Sequence, residues 1–405
     1  MTRRRTTASL ATATLLLAAT AAQAPTPALA PSATPSPSPA APPRPGFHRD
    51  GTVLDPNWFP IGVWLQQPAN AAKYRELGVT LYVGLWEGPT KAQLQDLAAA
   101  SMPVICHRNE VGAADQSGTI LAWMHNDEPD NARGRRFFGQ QPPIAPAQVV
   151  ADYAALRQQD PRRPVFLNLG QGAAWDGWHG RADRNGHPED YPEYLRGCDI
   201  GSFDIYPVTH PSREVRGKLE FVARGVQRLR SWTDGKKPVW ACIETGHVDD
   251  AEVRPTPQQV RDEAWLAIAA GASGLIWFCH EFRPQFVEAG LLAHADVQDA
   301  VRTVAAELRA LAPVLNSQRC DDKVAVQVDG KDSENVAVRV HEHGGELHVF
   351  LAALAREPLS ATVQVRGVQQ GSVRIADGPE VPMPAGGFVL PLPGYGTRHC
   401  RVRGR

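Results

Sequence analysis

From Phe59 onward, short apolar runs alternate with stretches whose apolar residues recur at helical spacing. The runs are FPIGVWL, TLYVGLW, PVICHRN, ILAWMHNDE, PVFLNLG, IGSFDIYP, PVWACIETG and GLIWFCHE. Each has the length and the Val, Ile, Leu and Trp content of a strand buried on both faces, as parallel strands are. Between them lie amphipathic segments such as NAAKYRELG, PAQVVADYAALRQQD and TPQQVRDEAWLAIAAGA. A long helix follows in ADVQDAVRTVAAELRALAPVL. The link from the third run to the fourth is short and Gly-containing, so a reduced helix is expected there. Eight strand–helix units in a span of about 250 residues predict a (β/α)8 TIM barrel over residues 51–318. A doubly wound sheet would need a Gly-rich phosphate loop after its first strand, and VWLQQPAN is not one.

Beyond Cys320 the period changes to two. KVAVQVD, NVAVRVHEH, ELHVFLAAL, SATVQVRG, SVRIADG and GGFVLPLP alternate apolar and polar positions between Gly, Asp and Pro. That is the pattern of half-exposed antiparallel strands, and it predicts a small C-terminal β-sandwich over residues 319–405. A hairpin is expected at Gly344 and Gly345. His341, His343 and His348 read as surface strand histidines, because no carboxylate or cysteine completes a ligand set.

Composition adds limits. The chain has 405 residues, a formal net charge of −1 and 43% hydrophobic residues. There is no basic excess for nucleic acid and no apolar run of membrane length in the body of the chain. The first residues, MTRRRTTASLATATLLLAATAAQA, have a basic start, a short apolar middle and a small-residue end at Ala24, with a second such end at Ala30. Residues 1–30 are therefore expected to be an export signal. The Pro/Ser/Ala-rich tract in residues 25–45 reads as an extended tether, with residues 31–50 as the linker to the barrel. An extracytoplasmic location follows. Six cysteines are present; Cys320 and Cys400 are the pair expected to bond, while Cys106, Cys242 and Cys279 lie in apolar runs as buried thiols. No CxxC spacing suggests zinc, and neither metal nor cofactor is expected.

In a (β/α)8 barrel the active site lies at the carboxyl ends of the strands. Polar and aromatic residues gather there: Trp64 and Gln66, Trp86 and Glu87, then His107, Arg108 and Asn109. Asn126, Asp127 and Glu128 close the fourth run, Asn168 the fifth, Asp204 and Tyr206 the sixth, Glu244 the seventh, and Trp277, His280 and Glu281 the eighth. One carboxylate at one strand end is as well explained by a helix cap or an ion pair. Acids at several ends interleaved with aromatic rings are what sugar binding needs, since a pyranose stacks on a ring and its hydroxyls bond to the rim.

These residues carry a resemblance. The fourth run ending in Glu–Pro, FDIYP, WACIETG and GLIWF look like the clan A retaining glycoside hydrolases, over about residues 59–316. The resemblance implies Glu128 as acid/base, Glu244 as nucleophile and Tyr206 as a hydrogen-bond donor to Glu244. From their places at the strand ends, Trp64, Trp86 and Trp277 are candidate sugar platforms, and His107, Asn168, His280 and Glu281, with Asn126 and Asp127, are candidate substrate contacts. Asp127 stands where that clan has Asn, and it reaches the same face as Glu128 only if the strand end is bent. The long loop after the fifth run offers Trp175 and Trp178 as distal contacts. The expected partner of a monomeric chain is an oligo- or polysaccharide.

Two other readings stay open. The Asp127–Glu128 doublet resembles substrate-assisted β-N-acetylhexosaminidases, in which Asp orients an acetamido group and Glu is the acid. A non-catalytic carbohydrate-binding protein with a degenerate barrel is the third.

Overall fold

The computed structural model describes residues 44–133, 141–332 and 334–404, and within them eight parallel strands close into a barrel in chain order, β1 to β8. They are β1 (Ile61–Trp64), β2 (Leu81–Val83), β3 (Val104–Cys106), β4 (Ile120–Met124), β5 (Val165–Leu169), β6 (Ile200–Phe203), β7 (Val239–Glu244) and β8 (Gly274–Phe278). Helices α1 (Ala71–Glu76), α2 (Lys91–Ala99), α3 (Glu110–Ala114), α4 (Pro146–Gln159), α5 (Asp190–Arg196), α6 (Glu220–Trp232), α7 (Pro257–Ala270) and α8 (Ala295–Leu315) follow the strands in turn. The TIM barrel expected from periodicity is the fold. The proposed leader and nearly all of the tether lie outside the described residues.

Two apolar layers hold the barrel together. One face of each strand packs inward, through Leu81, Val83, Ile105, Met124, Phe166, Trp240 and Ile276. The other packs against the helices, through Ile61, Val63, Val104, Trp123, Leu167, Phe203, Ile243 and Trp277. Phe47 and Trp58 join the inner layer, Phe47 lying 5.2 Å from Trp58 and 5.8 Å from Trp240 between ring centroids. These rings plug the amino-terminal end, so the barrel interior meets solvent at the opposite mouth. The expected short helix is α3, five residues long, whose N-cap Asn109 accepts the N–H of Gly112.

The C-terminal part is a sandwich of a four-stranded and a five-stranded antiparallel sheet. The first has the order β10 (Lys331–Asp332), β9 (Val324–Val328), β13 (Leu359–Val365) and β16 (Gly387–Leu392). The second runs β11 (Val336–His343), β12 (Glu346–Ala353), β17 (Thr397–Gly404), β14 (Gln370–Ile375) and β15 (Glu380–Pro384). The expected hairpin joins β11 to β12: Gly344 and Gly345 have φ of 60° and 78°, which a two-residue primed turn requires. Three strands escaped the periodicity: two-residue β10, Pro-flanked β15, and β17, whose TRHCRVRG presents mostly Arg and His.

Two expectations fail in this region. Cys320 and Cys400 are not bonded; all six cysteines are buried free thiols, and these two are absorbed into the sandwich core beside Val340 and Val349. His341 and His348 are not surface residues either, being 2% and 7% exposed. His341 lies against the barrel with Nδ1 3.0 Å from the carbonyl of Ser317, and His348 stacks on His399. The same contact surface buries Arg339, which donates to the carbonyls of Ile268, Ala272 and Leu315 at 3.2, 2.7 and 2.9 Å. One guanidinium thus binds three carbonyls near the ends of α7 and α8 and fastens the sandwich to the barrel.

Candidate active site

Three strand ends at the open mouth carry non-glycine residues in the left-handed region: Leu65 at φ 43°, Glu87 at 49° and Glu128 at 42°. Such conformations cost energy and persist where surrounding contacts enforce them. At β4 the cause is visible. The strand leaves regular pairing after Met124; His125 N–H still bonds to Phe166 O at 3.0 Å, and Glu128 N–H rejoins β5 at Asn168 O at 3.1 Å. The two residues between form the bend that Asp127 needs, and both carboxylates of the doublet face the bowl.

There Asp127 accepts the side-chain amide of Asn168 at 3.0 Å. Glu128 accepts Asn131 Nδ2 at 2.8 Å, and its other contact is a hydrogen bond with Asp204, which follows β6. Asp204 in turn accepts the hydroxyl of Tyr206 at 3.0 Å. Behind them Asp130 is fully buried, bound by Gly170 N–H at 2.9 Å and Tyr191 OH at 3.1 Å. Solvent reaches Asp127, while Glu128 and Asp204 are half-buried. The walls nevertheless desolvate all three. Desolvation first, then the charge of Glu128, pushes Asp127 up to about 7. Asp204 also rises to about 7, by desolvation and the charge of Asp127, against the bonds from Glu128 and Tyr206. Glu128 is held well above the usual carboxylate range by desolvation and by the neighbouring Asp204. A protonated Glu128 donating to an ionised Asp204 is the arrangement these environments favour.

Glu244 is elsewhere. It ends β7 as expected, yet its side chain is sealed, at 0% exposure. Its Oε1 accepts Val208 N–H at 2.6 Å, and its Oε2 accepts Thr209 N–H at 3.2 Å and Thr209 Oγ1 at 2.7 Å. The expected bond from Tyr206 goes to Asp204 instead. Asp204 was visible as a strand-end acid. The signal that could have singled it out is its i, i+2 spacing from Tyr206, which puts both side chains on one face.

Among the aromatic expectations, Trp86 stands 38% exposed at the rim and stacks on His280 at 5.6 Å. Phe282 and Phe286, 43% and 54% exposed, extend this surface; they lie in the loop after β8 and were not anticipated. Burial keeps His280 and His107 below the usual histidine value, hence neutral. Asn126 is exposed beside Asp127. Trp277 is a correction: it is 0% exposed and packs against the helix layer, because its parity on β8 points outward. Trp64 is buried at 4% inside the barrel, beneath the mouth. Glu281 is another correction, since it turns away from the bowl to meet His294 at 2.7 Å. Trp175 and Trp178 pack on one another, with Trp175 Nε1 donating to Glu214 and Trp178 Nε1 to Asn131. Trp178 therefore braces the residue that holds Glu128.

No protein-family model matches this sequence, and no curated protein matches it. Solved structures resemble it at low identity. An endoxylanase from Clostridium papyrosolvens is 10% identical, with 86% of this chain and 96% of that chain covered and a TM-score of 0.44. An endo-β-1,4-mannanase from Thermotoga petrophila is 11% identical, over 85% and 90%, at 0.44. A putative α-galactosidase from Bacteroides fragilis is 12% identical, over 87% and 80%, at 0.49.

Proposed function

We propose that this protein is a glycoside hydrolase whose catalytic carboxyl groups are Glu128 and Asp204, with Asp127 beside them. The observation that carries the reading is the hydrogen-bonded Glu128–Asp204 pair at an open barrel mouth rimmed by Trp86, Phe282 and Phe286. Two carboxyls with different proton affinities, next to exposed rings, are what cleavage of a sugar acetal requires. Glu128 is the acid because its proton is the more firmly held.

A sugar entering between the pair breaks their mutual hydrogen bond, parts the carboxyls toward the separation of about 5–5.5 Å that retention needs, and takes over the Glu128 proton at its leaving oxygen. Asp204 in its ionised form, which the Tyr206 hydroxyl favours, then bonds to the anomeric carbon as the glycosidic C–O bond breaks and the leaving hydroxyl departs with that proton. Water next gives a proton to Glu128 and its oxygen to the anomeric carbon, which frees Asp204. The net result is hydrolysis with retained configuration. The leader-like N-terminus supports an extracytoplasmic enzyme acting on oligo- or polysaccharide.

The test is a panel of aryl glycosides and polysaccharides, followed by trapping with a 2-deoxy-2-fluoro analogue of the preferred sugar. We expect one added sugar on the peptide holding Asp204. A label on Glu244, or no turnover on any member of the panel, would overturn the assignment. A second reading is favoured by one observation, that Asp127 and Glu128 face the same bowl: substrate assistance by an acetamido group oriented by Asp127. In that case N-acetyl substrates turn over, Asp204→Asn stays active and Asp127→Asn does not.

A further inference from the structure

Away from the bowl, three metal-ligating side chains from three segments converge. His247 follows β7, Glu281 follows β8, and His294 precedes α8. Their ligand atoms all lie within 4.8 Å of one another. From this geometry we infer a divalent transition-metal site, of zinc class, formed by His247, Glu281 and His294.

Two histidines and one carboxylate form a donor set that suits zinc and its neighbours in the first transition row. A tetrahedral ion with bonds of about 2.1 Å spaces its ligand atoms by about 3.4 Å, within reach of this cluster by small side-chain rotations. The fourth position is open to water, because His247 and His294 are only half-buried.

Supporting contacts fix the ligands. Nδ1–H of His247 donates to the carbonyl of Asp250 at 3.1 Å, which leaves the Nε2 lone pair for an ion. Nε2 of His294 and Oε1 of Glu281 already meet at 2.7 Å. Glu281 is also bound by the backbone N–H of His247 at 3.2 Å. Space around that carboxylate is tailored: a Cβ on Gly246 would stand 2.8 Å from Glu281 Cγ, and one on Gly290 would collide with the same atom. The carbonyl of His247 receives the N–H groups of Phe282 and Arg283 at 2.9 and 3.2 Å. An ion here ties the β7 loop, the aromatic loop after β8 and the start of α8 together. Its role is to stiffen the rim that carries Phe282 and Phe286. The site does not depend on which carboxylate attacks a sugar.

The full chain, stripped with EDTA and dialysed, is titrated with Zn2+ by calorimetry, and metal content is measured by atomic emission. We expect one equivalent per chain and a raised thermal midpoint on Zn2+ addition. His247→Ala, His294→Ala and the size-conserving Glu281→Gln should each weaken binding by about 10- to 100-fold or more, with far-UV circular dichroism unchanged. His348→Ala, which alters the histidine pair of the sandwich, should bind Zn2+ as the wild type does. The inference falls if the wild type takes up no Zn2+. It falls equally if uptake survives loss of His247 and His294, or if uptake follows His348 instead.

Discussion

Two groups of desolvated acids sit on neighbouring walls of this barrel and differ in one respect. At the mouth, Asp127, Glu128 and Asp204 open to solvent and to each other. Behind β7, Glu244 and Glu263 are sealed, both at 0% exposure. Desolvation raises the proton affinity of every member of both groups. A raised pKa therefore does not mark a catalytic acid by itself. What separates the groups is access: the mouth acids face a space that a substrate can enter, whereas both oxygens of Glu244 are committed to Val208 and Thr209.

The sharpest way to break this contrast is to neutralise one acid in each group. Glu128→Gln should lower turnover on the preferred aryl glycoside by about 10²- to 10⁴-fold, the range of general acid catalysis. Glu244→Gln, read in the same steady-state assay, should stay within about 10-fold of the wild type. Equal losses would return Glu244 to the catalytic centre.

The same Glu244 should instead matter for stability. Glu244→Ala strips acceptors from two buried N–H groups and a hydroxyl, each costly to leave unbonded. We expect a loss of about 3 kcal/mol in urea unfolding at pH 7. Glu263 should behave in the opposite sense. It lies on α7 with neither carboxyl oxygen in a well-formed hydrogen bond, and only the amide of Glu244 assists it. Glu263→Met, similar in volume and without a polar group to bury, should raise stability at pH 8 by about 1–3 kcal/mol.

The sequence carried the architecture and lost the site's inner wiring, for a physical reason. Strands buried on both faces and helices with one apolar stripe leave periodic traces, so all eight barrel strands were legible. Strand parity accounts for only part of the mouth. Trp277 has outward parity on β8, and past the strand end His280 faces the mouth while Glu281 turns away from it. Asp127 defied parity because of the bend at Glu128, which depends on a backbone bond to Asn168 some forty positions away. Similarly, nothing local to TGHVDD tells Glu244 that the N–H groups of Val208 and Thr209 will claim its oxygens before any substrate can. Long-range partners of that kind are settled by packing.

The smallest expected effect is also the most specific. Asp204 has an ordinary carboxylate value of 3.8 and rises to about 7 in the fold. Between those values the folded protein keeps a proton that the unfolded chain has released, so stability falls as pH rises from about 4 to 7 and then levels. Asp204→Asn cannot titrate, and it also relieves the repulsion that lifts Glu128, so both changes flatten the decline. The drop in thermal midpoint from pH 5 to pH 8 should shrink by on the order of 2 °C. Glu244→Gln should flatten the decline as well, since burial pushes Glu244 up to about 7. The two variants should part in kcat/KM: Asp204→Asn loses it, while Glu244→Gln keeps it together with the limb of its pH profile that reports the open pair. Should Glu244→Gln erase that limb instead, access would not be what distinguishes the two walls.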